Sequence, residues 1–171
     1  MGWRLHRRNY DPEFYFRGPA RFVPDQPETG VLYLAPDEVN ATFAFIGGLK
    51  VIRSSDLERY ILSELRFPTP LRLIDLTSRD IPRMGFPLRE LVESEDYTLG
   101  QDFATVALES GFDGIAFPAG PGRLFAVFGE VGSTRYAKVA RDTLIPDEIL
   151  KKLGVEVLPD PESGSRRVGV S

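Results

Sequence analysis

The sequence predicts a single α+β domain with mixed, mainly antiparallel sheets and flanking helices. Its 171 residues, of which 42% are hydrophobic, are enough to bury one full core but few for two. Strand-like and helix-like segments follow one another without a regular βαβ repeat, which argues against a doubly wound parallel sheet. Two strands, near residues 114–118 and 123–130, are separated only by AGPG, and so short a connection is typical of an antiparallel hairpin.

The chain begins with a predicted strand at Trp3–His6, followed by a long loop. Residues 17–30 are predicted to be irregular, because three prolines and a glycine interrupt any regular ladder there. Residues 30–35 (GVLYLA) are typical of a buried strand, and Pro36 suits the first turn of a helix, where its missing N–H would have no partner anyway. A strand leading directly into a helix is therefore expected around Tyr33.

Two helices are predicted next. The first helix follows Pro36, and its buried stripe is predicted from apolar residues at helical spacing: Val39, Phe43 and Ile46. Ala41, Ala44 and Phe45 lie off that stripe. The second helix is predicted over Ser55–Leu65, because Ser55 and Glu58 form a capping-box pattern and apolar residues follow at helical spacing.

The remaining elements are shorter. Residues 70–77 predict a strand, the proline-punctuated segment 78–100 predicts one or two helical turns, and helices are predicted near 101–110 and 147–153. We assign residues 1–157 to the domain and residues 158–171 to a flexible tail, because the tail is polar and rich in glycine and serine.

Composition excludes several classes of function. A net charge of -4 and a pI near 5.1 argue against a nucleic-acid partner. Without cysteine and with one histidine, His6, the chain is expected to bind no metal and to form no disulfide. No stretch has the pattern of a signal peptide or the roughly 20 apolar residues of a membrane helix. We therefore expect a cytoplasmic protein.

Arginines and aromatic residues are interleaved near the N-terminus. An arginine fork binds phosphate and an aromatic face stacks on a base, so this mixture suits a dinucleotide, although a solvated basic loop beside core aromatics explains it as well. The arginines concerned are Arg4, Arg7, Arg8, Arg17 and Arg21. The segment AGPGR, Ala119–Arg123, is compatible with a backbone phosphate cradle, but a tight turn is the more common reason for such a sequence.

Four segments in this order and spacing resemble the RES-domain family: LHRRNYDPEFYFRGPARF, GVLYLAPDEVNATF, PLRLIDLT and FDGIAFPA. The resemblance covers about residues 3–130. Members of this family are bacterial toxins of toxin–antitoxin pairs and are distantly similar to ADP-ribosyltransferases of the diphtheria-toxin type. The resemblance therefore implies an ADP-ribosyltransferase-like fold and attack on NAD at the nicotinamide–ribose bond, by water or by phosphate.

The resemblance also implies roles for individual residues. Arg21 matches the family's arginine and would hold the pyrophosphate, while Tyr33 matches its tyrosine and would serve the nicotinamide ribose. Ala44 stands where the family has its catalytic glutamate, and Ala119 where it has a serine. Arg4 and His6 are expected to line the nicotinamide mononucleotide side of the pocket, with Arg123 as a weaker candidate.

The missing carboxylate matters for the chemistry. Cleavage of the glycosidic bond builds positive charge on the ribose, which a nearby carboxylate stabilises while it orients the nucleophile. We therefore expect this chain to bind NAD better than it consumes it. Two histories are compatible with Ala44, an introduced alanine in place of a natural glutamate or a natural pseudoenzyme, and the retained arginine and tyrosine favour the first.

The resemblance implies NAD as substrate and a cognate antitoxin as partner, without a metal. A homo-oligomer is compatible with the sequence as well. Two alternatives stay open: a protein ADP-ribosyltransferase, and a catalytically dead module that binds NAD, ADP-ribose or another protein.

Overall fold

The structure, a computed structural model, describes residues 1–133 and 137–161. Its strands are β1 (Gly2–Arg7), β2 (Thr29–Leu34), β3 (Val51–Arg53), β4 (Tyr60–Arg66), β5 (Leu73–Asp75), β6 (Gly114–Ala119), β7 (Gly122–Glu130), β8 (Lys138–Thr143) and β9 (Glu156–Leu158). Its helices are α1 (Glu38–Ile46), α2 (Ser54–Leu57), α3 (Leu88–Glu93), α4 (Thr98–Glu109) and α5 (Asp147–Leu153), with a 3₁₀ turn at Ile81–Met84.

The strands form three sheets. One has the order β1-β4-β8 and is antiparallel throughout, and the second has the order β2-β7-β6-β5, with only β5 and β6 parallel. Strands β3 and β9 form a small parallel pair. The predicted α+β class with mixed, mainly antiparallel sheets is confirmed.

The two larger sheets meet at the start of β1. Trp3 and Ala35 exchange two backbone hydrogen bonds of 2.8 Å each, so β1 is tied to the residue that follows β2. Helix α1 begins three residues after Ala35 and packs against β1, β4 and β7. The start of β1, the end of β2 and helix α1 therefore lie next to one another.

The predicted helix over Ser55–Leu65 is wrong. The helix stops after four residues, at Leu57, and Tyr60–Arg66 form β4, the central strand of its sheet. Pairing with β1 on one side and β8 on the other satisfies the backbone of this segment, whereas the capping pattern offered only local contacts. Buried Leu62 and Leu65 therefore face opposite sides of a strand.

Helix α1 differs from its prediction in detail. Asp37 is the N-cap, accepting from the Asn40 amide at 2.8 Å, so Pro36 precedes the helix and does not occupy its first turn. Ile46 is buried as predicted, but Val39 and Phe43 are only half-buried. Alanine fits closely against β1 and β7, so Ala41, predicted to lie off the stripe, is buried instead, together with Thr42.

The remaining elements follow the prediction more closely. The segment before α4 holds the 3₁₀ turn and α3, and α4 and α5 lie where helices were expected. At the C-terminal side, β9 includes Leu158, and the Ser55 hydroxyl donates to Asp160 at 2.5 Å. The division at residue 157 stays a prediction, and residues 162–171 of the proposed tail lie outside the described residues.

Candidate active site

A cavity of about 290 Å³, here called the first cavity, lies between β1, the end of β2 and α1. It brings together three of the residues singled out in the sequence, Arg4, Tyr33 and Ala44. Its other walls are largely apolar and are formed by Trp3, Leu5, Leu34, Ala35, Ala41, Phe45 and Leu124. Arg4 is the only ionised group among these lining residues, and no carboxylate is found among them.

Ala44 lies near the end of α1 and is exposed. Its neighbour Phe45, 48% exposed, lines the same cavity, and the Phe45 ring packs edge-on against Tyr60 with centroids 4.8 Å apart. A longer side chain at position 44 would therefore extend from an open position beside the cavity. No packing requirement in the described residues demands an alanine there.

Tyr33 is held by both its ring and its hydroxyl. The ring meets Phe117 edge-on at 6.3 Å, and the hydroxyl accepts a hydrogen bond from the Phe22 amide at 3.1 Å. Burial raises the pKa of Tyr33 to about 12, opposed by the Phe22 amide and by the positive charge of Arg21. The hydroxyl therefore stays protonated at neutral pH and fixes the loop that carries Arg21.

Arg21 lies near the Tyr33 hydroxyl but not among the residues that line the first cavity. Its Nη1 donates to the Leu91 carbonyl at 3.2 Å, and its guanidinium lies 5.0 Å above the centre of the Tyr97 ring. The loop is further tied to α4, since the Gln101 side chain donates to the Ala20 carbonyl at 3.1 Å. The role of Arg21 toward a pyrophosphate stays a prediction.

Arg4 lies on β1 among the residues that line the first cavity, and its guanidinium is anchored by backbone oxygens. Its Nη1 donates to the carbonyls of Pro12 at 2.9 Å and Phe14 at 3.2 Å. Burial lowers the pKa of Arg4 and the charge of Asp11 opposes that shift, but a guanidinium remains charged at any physiological pH. A residue with a fixed positive charge therefore lines this cavity.

His6, on the same face of β1 as Arg4, starts a hydrogen-bonded chain across the sheet. Its Nδ1 lies 2.8 Å from the Arg7 carbonyl and its Nε2 lies 2.8 Å from the Ser63 hydroxyl, which donates to Asp142 at 2.5 Å. Burial lowers the pKa of His6, an effect partly offset by the Arg7 carbonyl and by the charge of Asp142. The chain fixes the imidazole beside a second opening in the surface.

This second cavity, of about 460 Å³, adjoins the first, because Arg4, Leu5 and Phe45 line both. Its remaining walls are formed by His6, Arg7, Asn9, Tyr10, Asp11, Phe14 and Phe16. Arg4 and His6, predicted to line one ligand region, therefore lie at two adjoining cavities.

Ala119 and Arg123 lie outside both cavities. Ala119 pairs with Gly122 across a two-residue turn in which Gly120 has a φ of 52°, so the AGPGR segment is a hairpin turn. Arg123 lies over Phe125 at 5.4 Å and lines a separate opening of about 480 Å³ beside Asn40. A ligand-binding role for Ala119 and Arg123 stays a prediction. Their positions do not favour it, since neither residue lines the first cavity.

Several residues of this region were not singled out by sequence reasoning. Trp3, Leu124 and Phe45 line the first cavity, and Ser63 and Asp142 complete the chain from His6. Alternation of side chains along β1 also accounts for the predicted pair Arg4 and His6, which lie on one face of that strand. Ser63 was hidden, because the segment that carries it was predicted to be a helix.

The RES domain model matches residues 2–144 of the sequence. The chain belongs to the RES-domain family. Among solved structures, this RES-domain chain is similar to one described as the crystal structure of the M.tuberculosis MbcT-MbcA toxin-antitoxin complex, with 16% sequence identity and a TM-score of 0.66 over 89% of this chain and 87% of that one. That likeness shows a shared fold. No curated protein matched the sequence.

Within residues 1–133 and 137–161, no group of three or more histidine, aspartate or glutamate side chains could hold a metal ion. No helix in this part of the chain has the length and apolar character needed to cross a membrane.

Proposed function

We propose that this RES-domain chain is the toxin component of a bacterial toxin–antitoxin pair and that its site binds NAD as substrate in the cytosol. The intact site would cleave the nicotinamide–ribose bond, with water or phosphate as acceptor. With Ala44 in place of the carboxylate, this chain would bind NAD without consuming it at an appreciable rate. No metal takes part in the proposed reaction.

The observation that carries this proposal is the first cavity. Arg4, Tyr33 and Ala44 come from β1, β2 and α1, yet they line one opening of about 290 Å³. In the proposed complex the nicotinamide ribose contacts Tyr33 and lies beside position 44, with Arg4 as the counter-charge for a phosphate. The aromatic and aliphatic walls suit the planar nicotinamide ring.

The proposed loss of turnover follows from the charges around this cavity. An oxocarbenium-like ribose would face Arg4 and no carboxylate, so its positive charge would be unopposed at the point where it develops. Removal of one stabilising group from such a site lowers the rate by about 10² to 10³. NAD binding should be retained, because it depends on contacts with other residues that an alanine at position 44 does not remove.

The test is the NAD concentration over time with the purified chain, its Ala44→Glu variant and an Ala44→Gln variant as matched control. Glutamine has the length of glutamate without its charge. We expect NAD loss at least about 100-fold faster with Ala44→Glu than with the unchanged chain, and no such gain with Ala44→Gln. Reactions with and without phosphate identify the acceptor from the product.

The same series distinguishes the second candidate function, a binding module without catalysis. The absence of a carboxylate among the residues that line the first cavity favours it. If NAD binds by calorimetry but Ala44→Glu gains no turnover, the module is the better description. If NAD does not bind to any of the three chains, the NAD-consuming toxin and the NAD-binding module are both rejected.

An antitoxin partner is proposed on the strength of the family and the toxin–antitoxin neighbour. Growth inhibition by the Ala44→Glu variant, relieved by the product of an adjacent reading frame, would support this partner. Equal growth with and without the variant would count against a toxin. Mass measurement by light scattering would establish whether the chain also forms a homo-oligomer.

A further inference from the structure

A row of polar side chains crosses the sheet β1-β4-β8 on one face. Arg4, Ser63 and Asp142 lie directly opposite one another on its three strands, and His6 follows two residues after Arg4 on the same face. His6 and Ser63 are buried, whereas Asp142 is exposed on the outer strand β8. The row therefore connects a buried imidazole with a carboxylate at the surface.

The hydrogen bonds of this row require one more hydrogen than a neutral imidazole supplies. Nδ1 of His6 lies 2.8 Å from the Arg7 carbonyl, which can only accept, so Nδ1 carries a hydrogen. Nε2 lies 2.8 Å from the Ser63 oxygen, and the single hydrogen of that hydroxyl is donated to Asp142 at 2.5 Å. With the hydroxyl so directed, Nε2 must carry a hydrogen as well, which makes His6 an imidazolium.

The additional proton belongs on the imidazole. A protonated Asp142, with the Ser63 hydroxyl turned toward Nε2, would contain the same number of hydrogens. A free imidazole, however, binds a proton about 400-fold more tightly than a free aspartate, since their ordinary pKa values are about 6.5 and 3.9. Without the additional proton, Nε2 of His6 and the Asp142 carboxylate compete for one hydroxyl hydrogen.

The surroundings of His6 act on its charge in both directions. Burial and the positive charge of Arg4 lower the pKa of His6, while the charge of Asp142 and hydrogen bonds with the backbone raise it. Strand β4 faces His6 with Ile61 and Ser63, which carry no charge. The charged or titratable side chains around His6 are Arg4 on β1, Asp142 on β8, and Arg7, Tyr10 and Asp11 at the second cavity.

We propose that Ser63 and Asp142 are positioning residues that relay a proton to His6, so that the imidazole charge at the second cavity follows the pH of the solvent. A proton from water binds the Asp142 carboxylate, which passes it to the Ser63 oxygen while the hydroxyl hydrogen moves to Nε2. The products are an imidazolium, an intact hydroxyl and the original carboxylate. Since both ring nitrogens bond within the protein, His6 acts on a ligand through its charge. The relay does not depend on NAD being that ligand.

The test is nitrogen-15 NMR of the imidazole from about pH 4 to 9 in the full, untagged chain and in Asp142→Asn. His6 is the one histidine in the sequence, so its ring signals are unambiguous. Asparagine keeps an oxygen that accepts from Ser63 but removes the charge. The proton affinity of His6 should therefore fall on the order of tenfold. Asp102→Asn, at an exposed carboxylate on α4, is the matched control and should leave that affinity unchanged.

Two variants of the middle residue test the relay itself. Ser63→Ala should also lower the proton affinity of His6, whereas Ser63→Thr keeps the hydroxyl and should restore it. Because Ser63 is fully buried, Asp142→Asn at the surface stays decisive if either of these chains fails to fold. An affinity that Asp142→Asn changes no more than Asp102→Asn overturns the inference, and so does a neutral imidazole with its hydrogen on Nε2. NAD binding, measured separately, decides the proposed function and not this relay.

Discussion

Tyr33→Phe tests whether the hydroxyl of the central tyrosine supports the loop that carries Arg21. The variant keeps the ring and its edge-on contact with Phe117 but removes the acceptor of the Phe22 amide bond, 3.1 Å long. Phe22 is fully buried, so its N–H would lose a partner in an environment with little water. An unsatisfied buried donor lowers the free energy of unfolding by about 1–3 kcal/mol.

The assay is equilibrium unfolding in urea at pH 7, where the midpoint should fall while the slope stays constant. For a chain of this length each kcal/mol also lowers the melting temperature by about 2–4 °C. Tyr60→Phe is the control, because within the described residues the Tyr60 hydroxyl has no hydrogen-bond partner and its removal should change stability by less than about 0.5 kcal/mol. Equal midpoints for Tyr33→Phe and the unchanged chain would refute the reasoning.

Three further predictions concern the surroundings of the site. Ser63→Ala leaves His6 Nε2 without its partner at 2.8 Å and should lower the free energy of unfolding by about 1–3 kcal/mol in a urea titration, a prediction rejected by an unchanged midpoint. Gly100→Ala would place a Cβ 2.4 Å from the Arg21 carbonyl oxygen, so thermal unfolding should show a loss of stability. A rise would mean that the helix propensity of alanine outweighs the clash. Because the pKa of Tyr33 is raised to about 12, the unfolded chain ionises first and stability should fall as the pH rises from about 10 to 12, a component that Tyr33→Phe should lack.

The local pattern predicted elements well where local and tertiary preferences agree. The segments that became β2, α4 and the β6–β7 hairpin each carry an unambiguous apolar period or turn. Ser55–Leu65 failed because its capping pattern and helical spacing are local signals, while its strand state depends on β1 and β8, which lie far away in sequence. This pairing cannot be predicted from the sequence of that segment alone.

The candidate site shows the same limit. Family resemblance drew attention to Tyr33 and Ala44, and the fold places both on one cavity with Arg4. Arg123, a weaker candidate from the AGPGR segment, lies at a different opening. Trp3 and Phe45 carry no chemical signature in the sequence, since only the meeting of β1 with α1 makes them walls of the cavity.

The position of Ala44 separates folding from chemistry in this protein. Its side chain is exposed near the end of α1, so a glutamate there would bury no charge and displace no core residue. A carboxylate near a helix C-terminus is disfavoured by about 0.3–1 kcal/mol, but the positive charge of Arg4, which lines the same cavity, acts in the opposite direction. Since neither effect is large enough to rearrange the fold, NAD turnover gained by Ala44→Glu and absent from Ala44→Gln would report the carboxylate's action on the ribose and not a repaired structure.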